Sequence, residues 1–218
     1  MAGLSSQEAD LEREIYRQLG TYLEAKGFIP ILHLKQFRYP TPIGFKCIIL
    51  SISHYEDCAL LEIHLGVRAD AVENLAFPFT NGLPGFKKDS LTLVTPLAKL
   101  FGKNFERFEI RSKADMSPII SQVQDQLKEK GFSFLQEYSR LDNLDYLYNQ
   151  NPIDPVHLIH NQVNRCIRGI TLARLCQSTE FTNLGILFEQ RLKNLYATEP
   201  VLDGYQRLLR YLHTYSEN

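Results

Sequence analysis

The chain of 218 residues is 44% hydrophobic and 22% charged, which excludes an intrinsically disordered chain and leaves room for one large domain or a domain with an extension. A net charge of −1 lacks the basic excess with which a dedicated duplex binder displaces counterions, and no run approaches the ~20 apolar residues of a membrane span, so neither nucleic acid nor a membrane is expected as partner. Four cysteines (Cys47, Cys58, Cys166, Cys176) without paired spacing, and an N-terminus without a basic or apolar region, predict a cytoplasmic protein.

Ser5 and Glu8 have the spacing of a capping box, and Leu11, Ile15, Leu19, Tyr22 and Leu23 then recur as a helical stripe. Gly27 can take the left-handed conformation that closes a helix, with Phe28 folding back onto Leu23. Ile29 to Tyr39 reads as a first, irregular strand. Phe45 to Ser53 and Leu60 to Val67 make a stronger pair. A turn around Tyr55 to Cys58 places Ile52, Leu50 and Ile48 opposite Leu61, Ile63 and Leu65 on one apolar face. Leu91 to Val94 and Phe105 to Ile110 are shorter strands. Ser117-Pro118 begins a central helix, and Gly131-Phe132, which repeats the pattern of Gly27-Phe28, is expected to end it by the same Gly closure.

Past residue 138 the pattern turns helical. Ser139 and Asp142 offer a cap for a short helix through Tyr148. Asp154-Pro155 starts the next helix, which runs to about Gln177. Two further stripes, Leu184 to Leu195 and Val201 to Leu212, are separated by Glu199-Pro200. The expected fold class is α+β: an antiparallel meander packed on N-terminal and central helices over residues 1–138, then a helical region over 139–218 packed on it, the two parts being either separate or continuous.

The chain carries no phosphate-loop, dinucleotide, nucleophile-elbow, Cys-x-x-Cys or His-Glu-x-x-His motif, so no catalytic residue and no cofactor is assigned. Asp154, His157 and His160 are spaced for one helix face, but a metal needs further ligands and none is identifiable; no metal site is assigned. Ser51, Glu62 and His64 share a strand face, yet a strand-centre serine lacks the strained turn of a nucleophile, and a satisfied polar patch is the better reading. The locally basic stretch from Lys87 to Lys113 reads as a solvated face.

The segment Ala76 to Asp89 is long, aperiodic and rich in phenylalanine, and long loops are often functional. Its turn pairs Asn81-Gly82 and Pro84-Gly85 push the chain out to a tip. Phe77, Phe79 and Phe86 either tuck into a satellite core, which burial favours, or form with Lys87 and Lys88 a binding surface in which Phe86 is the anchor and the lysines steer an acidic partner.

The order of elements carries a resemblance: a helix ending in Lys26-Gly27-Phe28, a strand bearing Phe37-Arg38-Tyr39, a meander, a helix ending in Gly131-Phe132 with Phe134-Leu135 after it, and a short helix over Leu141 to Tyr148. In this the chain resembles, over about residues 8–150, the bacterial family catalogued as domain of unknown function 4304. It departs from that pattern in having no Trp and a long helical C-terminus. The resemblance implies no catalytic residues. It implies a small α+β protein of the kind that can occur in toxin-immunity neighbourhoods, hence a non-catalytic module that binds another protein. The alternative is an enzyme or small-molecule binder with a scattered site between the sheet and the C-terminal helices.

Overall fold

The computed structural model describes residues 6–80 and 82–216, and it is α+β. Ser5, expected to form a capping box with Glu8, and the turn residue Asn81 lie outside the described residues. Strands β1 (Ile29–Ile31), β2 (Gln36–Thr41), β3 (Gly44–His54), β4 (Ala59–Ala69) and β5 (Leu93–Pro96) are hydrogen-bonded in sequence order, and β6 (Phe108–Ile110) also pairs β4. The chain divides into two compact units: one of residues 1–41, 45–66 and 95–136, and one of residues 42–44, 67–94 and 137–218. Segment 67–94 thus groups with the C-terminal helices.

In the first unit, helix α1 (Ser6–Glu24) buries Ile15, Leu19 and Leu23 and closes as expected. Gly27 has φ 84°, and the Phe28 amide donates to Leu23 O at 3.1 Å while Gly27 N donates to Glu24 O at 2.9 Å, the paired bonds of a Schellman motif. Phe28 is buried and stacks near Phe132, ring centroids 6.0 Å apart. The hairpin of β3 and β4 also forms. Tyr55 N donates to Cys58 O at 2.8 Å, the bond expected of a register that sets Ile52 across from Leu61. Ile48, Leu50, Leu61, Ile63 and Leu65 are buried; Ile52, nearer the turn, is half-buried.

Several expectations are corrected. Ile29 to Tyr39 is not one strand but the antiparallel pair β1 and β2, with Pro30 opposite Phe37, because Lys35 takes a left-handed φ of 54° and reverses the chain. The strands at Leu91 and Phe105 begin later, at Leu93 and Phe108. The central helix α3 (Lys113–Gln126) starts a turn before Ser117-Pro118, since Ser112 and Asp115 form the capping box and Asp115 Oδ2 accepts from Ser112 N at 2.8 Å. Gly131 does not close that helix. The chain continues through a π-helical turn (Leu127–Gly131) into α4 (Phe132–Glu137), and a Cβ on Gly131 would lie 2.9 Å from Leu127 Cδ2. Gly131 is there for close packing, not for a left-handed φ.

The second unit contains α2 (Asp70–Ala76), α5 (Leu141–Asn149), α6 (Gln162–Leu175), α7 (Phe181–Asn194) and α8 (Glu199–Thr214). Helix α6 is buried on nearly every side, with Cys166, Ile167, Ile170, Leu172 and Ala173 covered. Phe188, Leu192, Tyr205, Leu208 and Leu212 complete the core from α7 and α8, and Tyr205 OH donates to Gly185 O at 3.0 Å. The N-cap of α5 is Arg140, with no side-chain bond, in place of the expected Ser139. Helix α6 begins at Gln162, not at Asp154-Pro155, and Asn161 caps it by accepting from Asn164 N at 2.9 Å. His157 and His160 therefore precede the helix and share no helical face. Among the described residues no helix is long and apolar enough to cross a membrane.

Candidate functional site

The loop that leaves α2 is built on a buried arginine. Arg68, at the end of β4, is only 4% exposed. Its Nε donates to Asp70 Oδ1 at 2.6 Å, and its Nη1 donates to Lys87 O at 2.9 Å, to Ser90 O at 2.7 Å and to Ser90 Oγ at 2.8 Å. A guanidinium presents its donors in a rigid fork, so one side chain ties the C-terminal leg of the loop to the first turn of α2. Gly44, at the start of β3, makes room for that corner: its φ is 147°, and a Cβ would meet Arg68 O at 2.4 Å.

Beyond the clamp, Phe77–Phe79 and Pro84–Phe86 form 3-10 turns. Phe86 N donates to Leu83 O at 2.9 Å and Asp89 N to Phe86 O at 3.1 Å, so the tip has its own backbone bonds. The three phenylalanines separate. Phe79 packs against the α6–α8 core and lies 5.7 Å, ring to ring, from Tyr211. Phe77 is half-buried. Phe86 is 60% exposed and Leu83 68% exposed, with Lys87 and Lys88 exposed beside them. Phe86 is therefore not a plug in a satellite core. Pro84 fixes the turn so that its ring projects instead of folding under.

The root of the same loop walls a cleft of about 580 Å³ within the second unit. Phe77, Val163, Ile167 and Val201 supply apolar wall, and Thr80, Asn161, Asn164 and Thr198 supply polar groups. Arg168 also lines it and is the one charged residue among the described lining residues. Arg168 keeps 15% of its side chain exposed and is held by Glu73, which is 1% exposed. Its Nε donates to Glu73 Oε1 at 2.7 Å and its Nη2 to Oε2 at 3.0 Å, a bidentate pair. Thr92 Oγ1 donates to Glu73 Oε1 at 3.0 Å and accepts from Ala69 N at 2.9 Å, and Tyr148 OH donates to Thr92 O at 2.5 Å. Burial pushes the Glu73 carboxyl up, but the Arg168 guanidinium and the Ser90 and Thr92 hydroxyls outweigh it and hold it below its usual range. Burial likewise pulls Arg168 down, and Glu73 more than restores it.

The other sequence candidates do not assemble. His64 Nε2 lies 3.5 Å from Glu62 Oε1, and Arg107 Nε donates to Glu62 Oε2 at 3.4 Å; Ser51 shares no hydrogen bond with either. Burial lowers the His64 pKa against the opposing pull of Glu62. Cys47 and Cys166 are buried, and burial pushes both thiols up to about 12, far from a nucleophilic thiolate. Within the basic stretch, Lys103, Arg107 and Arg111 sit on Glu106, Glu62 and Glu109. Among the described residues no group of three or more His, Cys, Asp or Glu side chains could hold a metal ion. Sequence reading missed Arg68 and Arg168, because an isolated Arg carries no periodicity and is ordinarily read as solvated. No protein-family model, curated protein or solved structure compared with this chain matches it.

Proposed function

We propose that this protein is a cytoplasmic, non-catalytic protein-binding module, immunity-like in that it acts by surface complementarity, and that it docks through the tip of the loop at Leu83, Phe86, Lys87 and Lys88. One observation carries the reading: two large apolar side chains are held out in water, beside two cations, on a loop whose base is pinned by the buried Arg68. Exposed apolar groups usually mark a contact site when they cluster, and a pinned loop loses little conformational entropy on binding. The complementary partner is an acidic protein surface with an apolar recess, the ring of Phe86 filling the recess and the lysines setting the approach. Phe77 and Phe79 belong to the root of the loop and support the tip.

The test uses the full chain in cells with a photo-reactive amino acid in place of Phe86. A single discrete adduct is expected, and it should vanish when Lys87 and Lys88 are both changed to Glu. With the cross-linked partner purified, Phe86→Ala should weaken binding by roughly 30-fold, corresponding to ~2 kcal/mol, and leave the melting temperature of the free protein unchanged. No discrete adduct, or unaltered binding by Phe86→Ala, would sink the proposal.

A further inference from the structure

The cleft behind the loop has a chemistry that the loop tip does not need. Every described lining residue is neutral except Arg168. No carboxylate lines the cleft, so a cation finds no counter-charge there, whereas an anion finds a guanidinium whose own charge Glu73 answers from behind. Arg168 gives Nε and Nη2 to Glu73, and its Nη1 has no hydrogen bond among the described residues. A bidentate carboxylate behind an arginine is how proteins fix the orientation of its remaining donors, since the planar fork cannot rotate without breaking two bonds. Thr92 and Tyr148 hold that carboxylate in turn, so the donor is preorganised from beneath. The first turns of α6 and α8 line the same cleft through Asn161, Asn164 and Thr198, adding the positive ends of two helix dipoles.

We infer that this cleft binds a small organic anion, a carboxylate or phosphate monoester carried on an apolar body, with Arg168 as the residue that holds its oxyanion. The volume of about 580 Å³ lies within the range of small-molecule sites, roughly 300–1,000 Å³, and is too small for a folded segment. Phe77, Val163, Ile167 and Val201 provide the surface for the apolar body. A single cation favours a ligand with one oxyanion group. The inference is independent of what the loop tip binds, because its residues are those of the loop's root and of α6 and α8.

The experiment is thermal melting of the full chain with three probes of similar body: 4-phenylbutyrate, phenyl phosphate and the neutral 4-phenylbutanol. At least one anion should raise the melting temperature by a few degrees while the alcohol does not, and whichever anion does so identifies the headgroup. Two variants place the effect. Arg168→Lys keeps the charge beside Glu73 but loses the fork, and should abolish the shift. Thr198→Trp puts an indole into the cleft from an exposed position that makes no side-chain cap bond, and should abolish the shift with little change in the unliganded melt. Equal protection by the alcohol, no protection by either anion, or protection that survives Thr198→Trp would each overturn the inference.

Discussion

At the scale of single residues, the interior of the second unit is organised by arginines that have unlike counter-groups. Arg68 is answered mainly by backbone and hydroxyl oxygens of one loop. Arg165 is 0% exposed, and its hydrogen bonds among the described residues go to backbone carbonyls and the Gln162 amide, not to a carboxylate. Its Nε and Nη2 donate to Tyr148 O at 3.0 and 2.8 Å, its Nη2 also to Asn151 O at 2.5 Å, and its Nη1 to Asp154 O at 2.5 Å. Burial, with Arg191 nearby, pulls its pKa down, and the carbonyls replace the lost hydration. Those captured carbonyls explain why residues 150–161 stay irregular and α6 starts late. Arg168 alone of the three is paired with a buried carboxylate, since Asp70 beside Arg68 is exposed, and removal of that pair is the sharpest test. Glu73→Gln leaves a buried cation unanswered and should cost about 3–5 kcal/mol at neutral pH in chemical denaturation. Because the Glu73 carboxyl is held below its ordinary 4.5, its stabilisation is complete above that pH and is lost as pH falls through the depressed value. The gap between wild type and Glu73→Gln should therefore be widest near neutral pH and close as the pH falls through the depressed value.

At the scale of elements, close approach decides what a glycine is for. A Cβ on Gly204 in α8 would meet Phe79 O at 2.6 Å, and that oxygen is backbone, so it cannot swing aside. Gly204→Ala gains about 1 kcal/mol in helix propensity but forces α8 away from the Phe77–Phe79 turn, at roughly 1–3 kcal/mol. A net fall in melting temperature is expected, whereas Gly85→Ala, with nothing within 4 Å, should leave melting unchanged. The same consideration explains what could be read in the sequence. The β3–β4 hairpin was legible because Ile48, Leu50 and Ile52 on one strand and Leu61, Ile63 and Leu65 on the other recur at every second position, and α1, α7 and α8 because their stripes are long. Gly27 and Gly131 share their neighbours in sequence, yet only Gly27 ends a helix; Leu97 and Leu127 around Gly131 are tertiary facts. Helix α2, seven residues long, is too short to show a period, and β1 and β2 looked like one strand because the reversal rests on Lys35, not on a glycine. Of the site, the loop tip was legible from its turn residues. The cleft was not, because segments 77–82, 161–168 and 195–201 meet only in the folded unit.

At the scale of the whole molecule, the two compact units are interleaved along the chain, so neither is a continuous stretch of sequence. The helices past residue 138 look self-sufficient by their stripes, but the core that they share includes Ala76, with Leu75 and Phe79 packed against it. Without residues 67–94, Arg168 loses Glu73 and Tyr148 OH loses Thr92 O. A fragment of residues 139–218 is accordingly expected to be helical by circular dichroism yet to melt without a cooperative transition. A sharp two-state melt would show instead that α5 to α8 form a sufficient core alone.

The clamp on the loop has one more consequence, for digestion. Lys87 and Lys88 form a dibasic pair on an exposed tip, the kind of place where a trypsin-like protease cuts first. Cleavage after Lys87 requires its carbonyl oxygen to enter the protease's oxyanion hole, with the flanking residues drawn out straight. That oxygen already accepts from Arg68 Nη1 at 2.9 Å and from Ser90 Oγ at 2.9 Å, and the residues before it are wound into a 3-10 turn. The Lys87–Lys88 bond is thus guarded by the arginine that shapes the tip, and a trypsin-like enzyme has to unwind the turn before it can cut there.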